Sequence, residues 1–178
     1  MKLNSRWVIK VILISVVASM IFTLVSAEIL GNASYIVAFS VLALFIFVGI
    51  VFDLIGLAVA AAMPAPFNSM AAHRERGAPE ALLLLKNADK VSSFCNDVVG
   101  DVTGIISGSM AAIITAMLLG GLNSEHMILQ MIVPMAVTGL TVGGKAVCKP
   151  LAFNYNTIIV LRAGKIIAAF NSIVGRKK

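Results

Sequence analysis

Charge is scarce in this chain. Only 12% of its 178 residues are Asp, Glu, Lys or Arg, about half the share of an ordinary soluble domain. Cysteine is scarcer still. Cys95 and Cys148 stand alone and far apart, which excludes a disulfide scaffold and a clustered zinc site. They read as small thiols buried in a membrane. There is no glycine-rich phosphate loop, no nucleophile beside an evident base and no cluster with metal-ligand spacing, so nothing points to an enzyme. Asn32-Ala33-Ser34 fits a glycosylation sequon, but that pattern is short and common.

Apolar residues are abundant instead. They make up 60% of the chain and gather into runs long enough to cross a bilayer, which excludes a soluble globular domain. The expectation is one membrane domain and no separate soluble one. Lys and Arg number 14 against 8 acids, a formal net charge of +6. In a soluble protein that excess would suggest nucleic acid. Here the basic residues flank apolar runs, where they encode topology, so the bilayer and not nucleic acid is the expected partner.

Four runs emerge. Val8 to Val25 follows Lys2, Arg6 and Lys10 and resembles a signal peptide. The long run Ile36 to Ala62 behind it argues for a retained helix, joined to it by a loop carrying Glu28, Gly31 and Asn32. Pro64 and Pro66 break the second run. The segment that follows, with His73, Arg74, Glu75, Arg76, Lys86 and Lys90, is polar. Gly77 can cap one short helix and Pro79 can open the next, and Leu82 to Leu85 is too short to span, so a helical hairpin on the membrane surface is expected. A third span covers Val98 to Leu119 and a fourth Met127 to Val147. The basic patches lie at the N-terminus, at 68–90 and in the tail, while the loops at 27–34 and 120–126 hold no Lys or Arg. Four spans with both termini in the cytoplasm satisfy every patch. His73 and His126 then fall on opposite sides and cannot share a site. From Asn156 to Val174 apolar residues recur near helical periodicity, with Arg162 and Lys165 in mid-run. Two cations disfavour a fifth span, and an interfacial amphipathic helix fits better.

The fold class expected is therefore an all-α integral membrane protein: four transmembrane helices, a cytoplasmic juxtamembrane hairpin and a C-terminal amphipathic helix. It divides into residues 1–34 (an extra N-terminal span and external loop), 35–152 (a core that includes the hairpin 64–95) and 153–178 (a cytoplasmic or interfacial tail). The short chain and basic tail suggest a bacterial plasma membrane.

The third span carries most of the chemistry. Asp97 and Asp101 are four apart and share a helix face. Gly100, Gly104 and Gly108 form two overlapping small-xxx-small repeats, and Gly139 with Gly143 repeats the device on the fourth span, a pattern suited to helix packing. A carboxylate within a span costs roughly 2.5–3.5 kcal/mol on insertion scales, so it needs a partner or a task. Asp97 can sit at the interface as a helix N-cap, whereas Asp101 lies one turn deeper and Asp53 lies in the second span. Two readings stand. Asp53 and Asp101, with Asn96, Thr103 or Ser107, offer the oxygen ligands that Mg²⁺ prefers. Alternatively, Asp101 pairs with Lys145 of the fourth span.

Several stretches resemble the transmembrane domain of the CorB/CorC and cyclin M magnesium transporter family. The resemblance covers about Phe45 to Val174. Arg74-Glu75-Arg76-Gly77 through Leu82-Leu83-Leu84-Leu85-Lys86-Asn87-Ala88-Asp89-Lys90 resembles the family's juxtamembrane hairpin, with Asn87, Asp89 and Lys90 at its Asn, Asp and Arg positions and Ala88 in place of a proline. Gly100-Asp101 resembles the Gly-Asn pair that opens the family's second core helix. Gly144-Lys145-Ala146-Val147-Cys148-Lys149-Pro150-Leu151-Ala152 resembles Gly-Glu-x-x-Pro-Lys-x-x-Ala of its third, and Gly164-Lys165-Ile166-Ile167 to Phe170 resembles its post-membrane helix. The resemblance implies Mg²⁺ or divalent-cation transport, a homodimer, and Gly100 and Asp101 as positions that touch a cation, with Asp53 and Asn96 as further candidates from the residues. Departures are equally plain. The family's cation-site glutamate is Lys145, its proline is Cys148, its Ser-x-Ser-Glu has no counterpart, and no CBS pair follows within these residues. A fixed ammonium repels Mg²⁺, so the expected function is a divergent relative with a substituted cation site. The alternative is a non-transporting scaffold or regulatory subunit of another membrane protein, locked by an Asp101–Lys145 pair.

Overall fold

A computed structural model describes residues 5–31, 34–120, 127–173 and 175 of the chain. The described residues are almost wholly helical, and no strand occurs among them. Helix α1 is Ser5–Gly31 and α2 is Tyr35–Ala61; α3 (Pro64–Ala72), α4 (Ala78–Lys86) and α5 (Ala88–Ser93) are short. A π-helical segment, Phe94–Gly100, links α5 to α6 (Asp101–Gly120), and α7 (Met127–Asn154) and α8 (Asn156–Ile173) follow. Among the described residues, three helical stretches are long and apolar enough to cross a membrane: Tyr35–Ala61, Ala88–Gly120 and Gln130–Asn154. The first of the four expected spans falls in α1, where the described apolar stretch is the shorter Val11–Leu24.

Several expected boundaries move. Glu28 and Gly31, expected in a loop, belong to α1, because an apolar helix holds its last turn when no proline or cap interrupts it. The third helix begins at Ala88, ten residues before the expected Val98, so Asp97 lies inside a helical run and does not cap one. Helix α7 continues through Lys149 and Pro150 to Asn154. Asn32, residues 121–126 with Glu125 and His126, and the terminal Arg176, Lys177 and Lys178 lie outside the described residues.

The chain divides into two compact units, one of Met1–Val51 with Asp97–Lys145 and one of Phe52–Asn96 with Ala146–Lys178. In the first, α6 presents Val102, Ile106, Met110 and Ile114, one residue every turn, to Ala38 and Leu42 of α2 and Val137 of α7. Spacing by four keeps these side chains on one face. Phe22 of α1 meets Phe45 of α2 edge to face, with centroids 5.9 Å apart. Close approach here uses lone glycines. A Cβ on Gly49 would stand 2.5 Å from Thr103 Oγ1, and one on Gly144 would collide with Ile50.

The second unit is built around Ala58, Val59, Phe67, Ala81, Ala152 and Val160, one or two residues from each of five helices. Pro64 opens α3 after the extended Met63, as a residue lacking an N–H can at a first turn. Helix α3 ends at His73, and Gly77 caps the start of α4 rather than the end of α3. Its φ of +87° lies in the left-handed region that glycine enters at least cost. A Cβ there would also lie 2.6 Å from the Lys165 backbone nitrogen. Opposite it, Gly164 of α8 lies against the Gly77 carbonyl and Ala81. Two glycines thus let α4 and α8 cross backbone to backbone. Glu80 in the first turn of α4 and Lys86 in its last complement the helix dipole, and Lys165 Nζ reaches Glu75 Oε1 at 3.2 Å.

Candidate functional site

Of the candidate cation ligands, Asp53 and Asn96 belong to the second unit, and Gly100 and Asp101 to the first. Asp53 is half-buried on α2, three residues before Gly56, and residues three apart share a helix face. That face meets the π-helical segment: a Cβ on Gly56 would collide with Asn96 and Cys95. The missing side chain therefore seats the Asn96 amide against α2. Asn96 Nδ2 donates to Ser92 Oγ at 3.3 Å, one turn earlier. Its Oδ1 is buried and has no hydrogen-bond partner among the described residues. An orphaned buried acceptor costs about 1–3 kcal/mol, and a site of this kind calls for an explanation. It also lies in a π-helical segment, a distortion often found at functional sites.

The local sequence accounts for part of that distortion. Thr103 Oγ1 lies 2.8 Å from the Val99 carbonyl and 3.0 Å from the Gly100 carbonyl. A hydroxyl competing for ladder carbonyls bends or loosens a helix, and these two carbonyls close the widened stretch. The same contact hides the Thr103 hydroxyl in an apolar helix, as Thr115 and Thr141 hide theirs on Ala111 and Val137.

In the first unit, Gly100 is buried and Asp101 is exposed. The expected ion pair is not there: no salt bridge joins Asp101 to Lys145 among the described residues. Helix spacing sets depth along an axis but not rotation about it, and Asp101 is turned outward. Lys145 is half-buried and has an interaction partner of its own, as does Asp53. Ser107 Oγ is buried and has no hydrogen-bond partner among the described residues. No group of three or more His, Cys, Asp or Glu side chains stands together among the described residues.

The glycines expected at helix interfaces divide. Gly100 is buried, but Gly104, Gly108, Gly139 and Gly143 are exposed, and a Cβ on any of these four would meet nothing within 4 Å. Packing within the chain uses Gly49, Gly56, Gly77, Gly144 and Gly164 instead. Gly49 and Gly56 are seven apart on one helix face, a spacing visible in the sequence that the search for small-xxx-small repeats passes over.

Compared with protein-family models, curated proteins and solved structures, the chain gives no match.

Proposed function

We propose that this chain is a divergent CorB/CorC-like integral membrane protein, with four spans and both termini in the cytoplasm. Its cation site is rebuilt around Asn96 and Asp53. The observation that carries this reading is the orphaned Asn96 Oδ1 in a π-helical segment of an apolar helix. An oxygen with no donor in a buried place suits a cation, and amide and carboxylate oxygens are ligands that Mg²⁺ accepts. Lys145, at the position of the family's glutamate, cannot serve as a ligand. Asp101 and Gly100 belong to the other unit and are not needed for this site.

Calorimetric titration of the purified protein with Mg²⁺ tests the reading. Wild type binds, Asn96→Ala and Asp53→Asn each bind tenfold or more weakly, and Asp101→Asn binds as wild type does. No binding by wild type, or equal binding by all four, overturns it.

A second reading rests on Lys145, which is half-buried and engaged. In a non-transporting scaffold this engaged ammonium holds one conformation. Lys145→Ala then lowers the melting temperature without creating or abolishing any Mg²⁺ response. In either reading, the exposed Gly104, Gly108, Gly139 and Gly143 offer a surface to a second copy, since small residues let membrane helices approach closely.

A further inference from the structure

Helix α8 meets its own unit along a narrow line. Val160 and Gly164 are buried, with Gly164 seated against Ala81 of α4. On the opposite side Ile158, Arg162, Ile166, Ala169 and Ile173 follow one another at spacings of four, four, three and four, which makes one stripe. Ile166 is 70% exposed and Ile173 82%, and Phe170 beside them is 65% exposed. Singly such residues are ordinary; a continuous apolar face marks a contact surface.

Two observations say what covers it. The first is position. A single residue separates the end of the candidate span Gln130–Asn154 from the start of α8 at Asn156, so α8 starts where that span leaves the apolar phase. The exposed Tyr155 stands at the junction, a residue type enriched at membrane–water boundaries. The second is charge. Arg162 sits in the middle of the stripe and makes no ion pair among the described residues, and Lys165 flanks it with Glu75 as partner. From Met127 to Lys178 the chain has seven Lys and Arg and no Asp or Glu. A twofold contact of this face with its copy would bring Arg162 toward its own counterpart, desolvating two like charges. An anionic headgroup supplies the missing negative charge, and acyl chains accept the isoleucines.

We propose that the outward face of α8 docks on an anionic phospholipid surface, that of the bilayer its own spans occupy. Arg162 pairs with the headgroup, and Ile158, Ile166, Phe170 and Ile173 enter the headgroup–acyl boundary. The proposal rests on the membrane reading of the chain and adds a lipid preference to it.

The test uses the full chain carrying Phe170→Trp in a Trp7→Phe background. It is reconstituted in vesicles of phosphatidylcholine and phosphatidylglycerol in equal amounts, with bromine on the tails of one lipid or the other. The introduced indole emits at short wavelength, both brominated lipids quench it, and phosphatidylglycerol quenches more strongly. The local enrichment is roughly five-fold, the Boltzmann equivalent of about 1 kcal/mol for one basic side chain at an anionic surface. Arg162→Gln erases the difference, and Arg162→Lys keeps it. Three results overturn the proposal: emission typical of water, a shielded indole that neither lipid quenches, as a protein cover would give, and equal quenching by the two lipids. A preference that survives Arg162→Gln overturns the role of that residue and the proposal with it. Failure of the chain to float with vesicles through alkaline carbonate overturns the membrane reading as well, whereas a floating chain with an unquenched indole overturns only this proposal.

Discussion

Single glycines do different work in this chain according to what faces them. At Gly77 an added methyl group enters the left-handed region and meets the Lys165 backbone. At Gly164 it meets the Gly77 carbonyl. Gly77→Ala should therefore cost about 1–2 kcal/mol from backbone conformation alone, and Gly164→Ala should also destabilise by forcing α4 from α8. By contrast Gly139→Ala has open space, and helix propensity favours alanine by about 0.5–1 kcal/mol. Thermal unfolding in detergent should show melting temperatures lowered by the first two substitutions and unchanged or raised by the third. An equal loss from all three would show that the α4–α8 crossing does not govern stability. A smaller effect is expected of Glu75→Gln. Its bond to Lys165 joins side chains 40% and 47% exposed, and exposed pairs contribute roughly 0–1 kcal/mol, so adding salt should change the wild-type melting temperature little. Residue chemistry was legible in part. Asn96 stood out as a polar group beside a span, but nothing in its neighbours announces that Gly56 lies against it. Asp101 and Lys145 looked like partners because charge and depth are readable from sequence; the rotation that turns Asp101 outward is decided by which face of α6 carries Val102, Ile106 and Met110.

Among the elements, α6 has the clearest division of faces. Ile106 is fully buried and its neighbour Ile105 is 56% exposed. In a membrane the exposed residue already meets lipid, so the difference between the two is packing rather than transfer from water. Ile106→Ala should cost about 2 kcal/mol or more, and Ile105→Ala well under half of that. Unfolding of the detergent-solubilised protein by SDS titration reads both, and equal losses would contradict the core described for the first unit. Long apolar elements were readable from length and flanking signals alone. Tyr35–Ala61 falls within a residue of the run from Ile36 to Ala62, because Pro64 and Pro66 give it an unambiguous end. The start of the third helix was not readable. Asp89, Lys90, Ser92, Ser93, Asn96 and Asp97 give 88–97 the composition of a loop, and the stretch is helical because Ala88 and Val91 pack against the core of the second unit. In α4, the turn chemistry of Gly77 and Pro79 pointed to the right place but to the wrong helix end.

For the whole molecule, the distribution of basic residues makes a topological prediction. Ser34 and Asn68 are both exposed and follow α1 and α2 respectively in the chain. In intact bacterial cells expressing a Cys148→Ala background, Ser34→Cys should react with an impermeant maleimide, and Asn68→Cys only after permeabilisation. Cys95 is buried and should stay silent in both. The reverse pattern, or equal labelling, would refute four spans with cytoplasmic termini. If the open glycines receive a second copy, Gly139→Leu combined with Gly143→Leu should convert a dimer to a monomer in light scattering while leaving the melting temperature within about a degree of wild type. The widened turn at Phe94–Gly100 has a consequence for ancestry as well as for chemistry. A regular helix tolerates no insertion, since each added residue swings everything beyond it by about 100°. A π turn absorbs one surplus residue and hands the next turn on in phase. Relatives of this chain that differ by a single residue should carry their alignment gap in that stretch, and excising Val99 should be survivable where excising Ala112 is not.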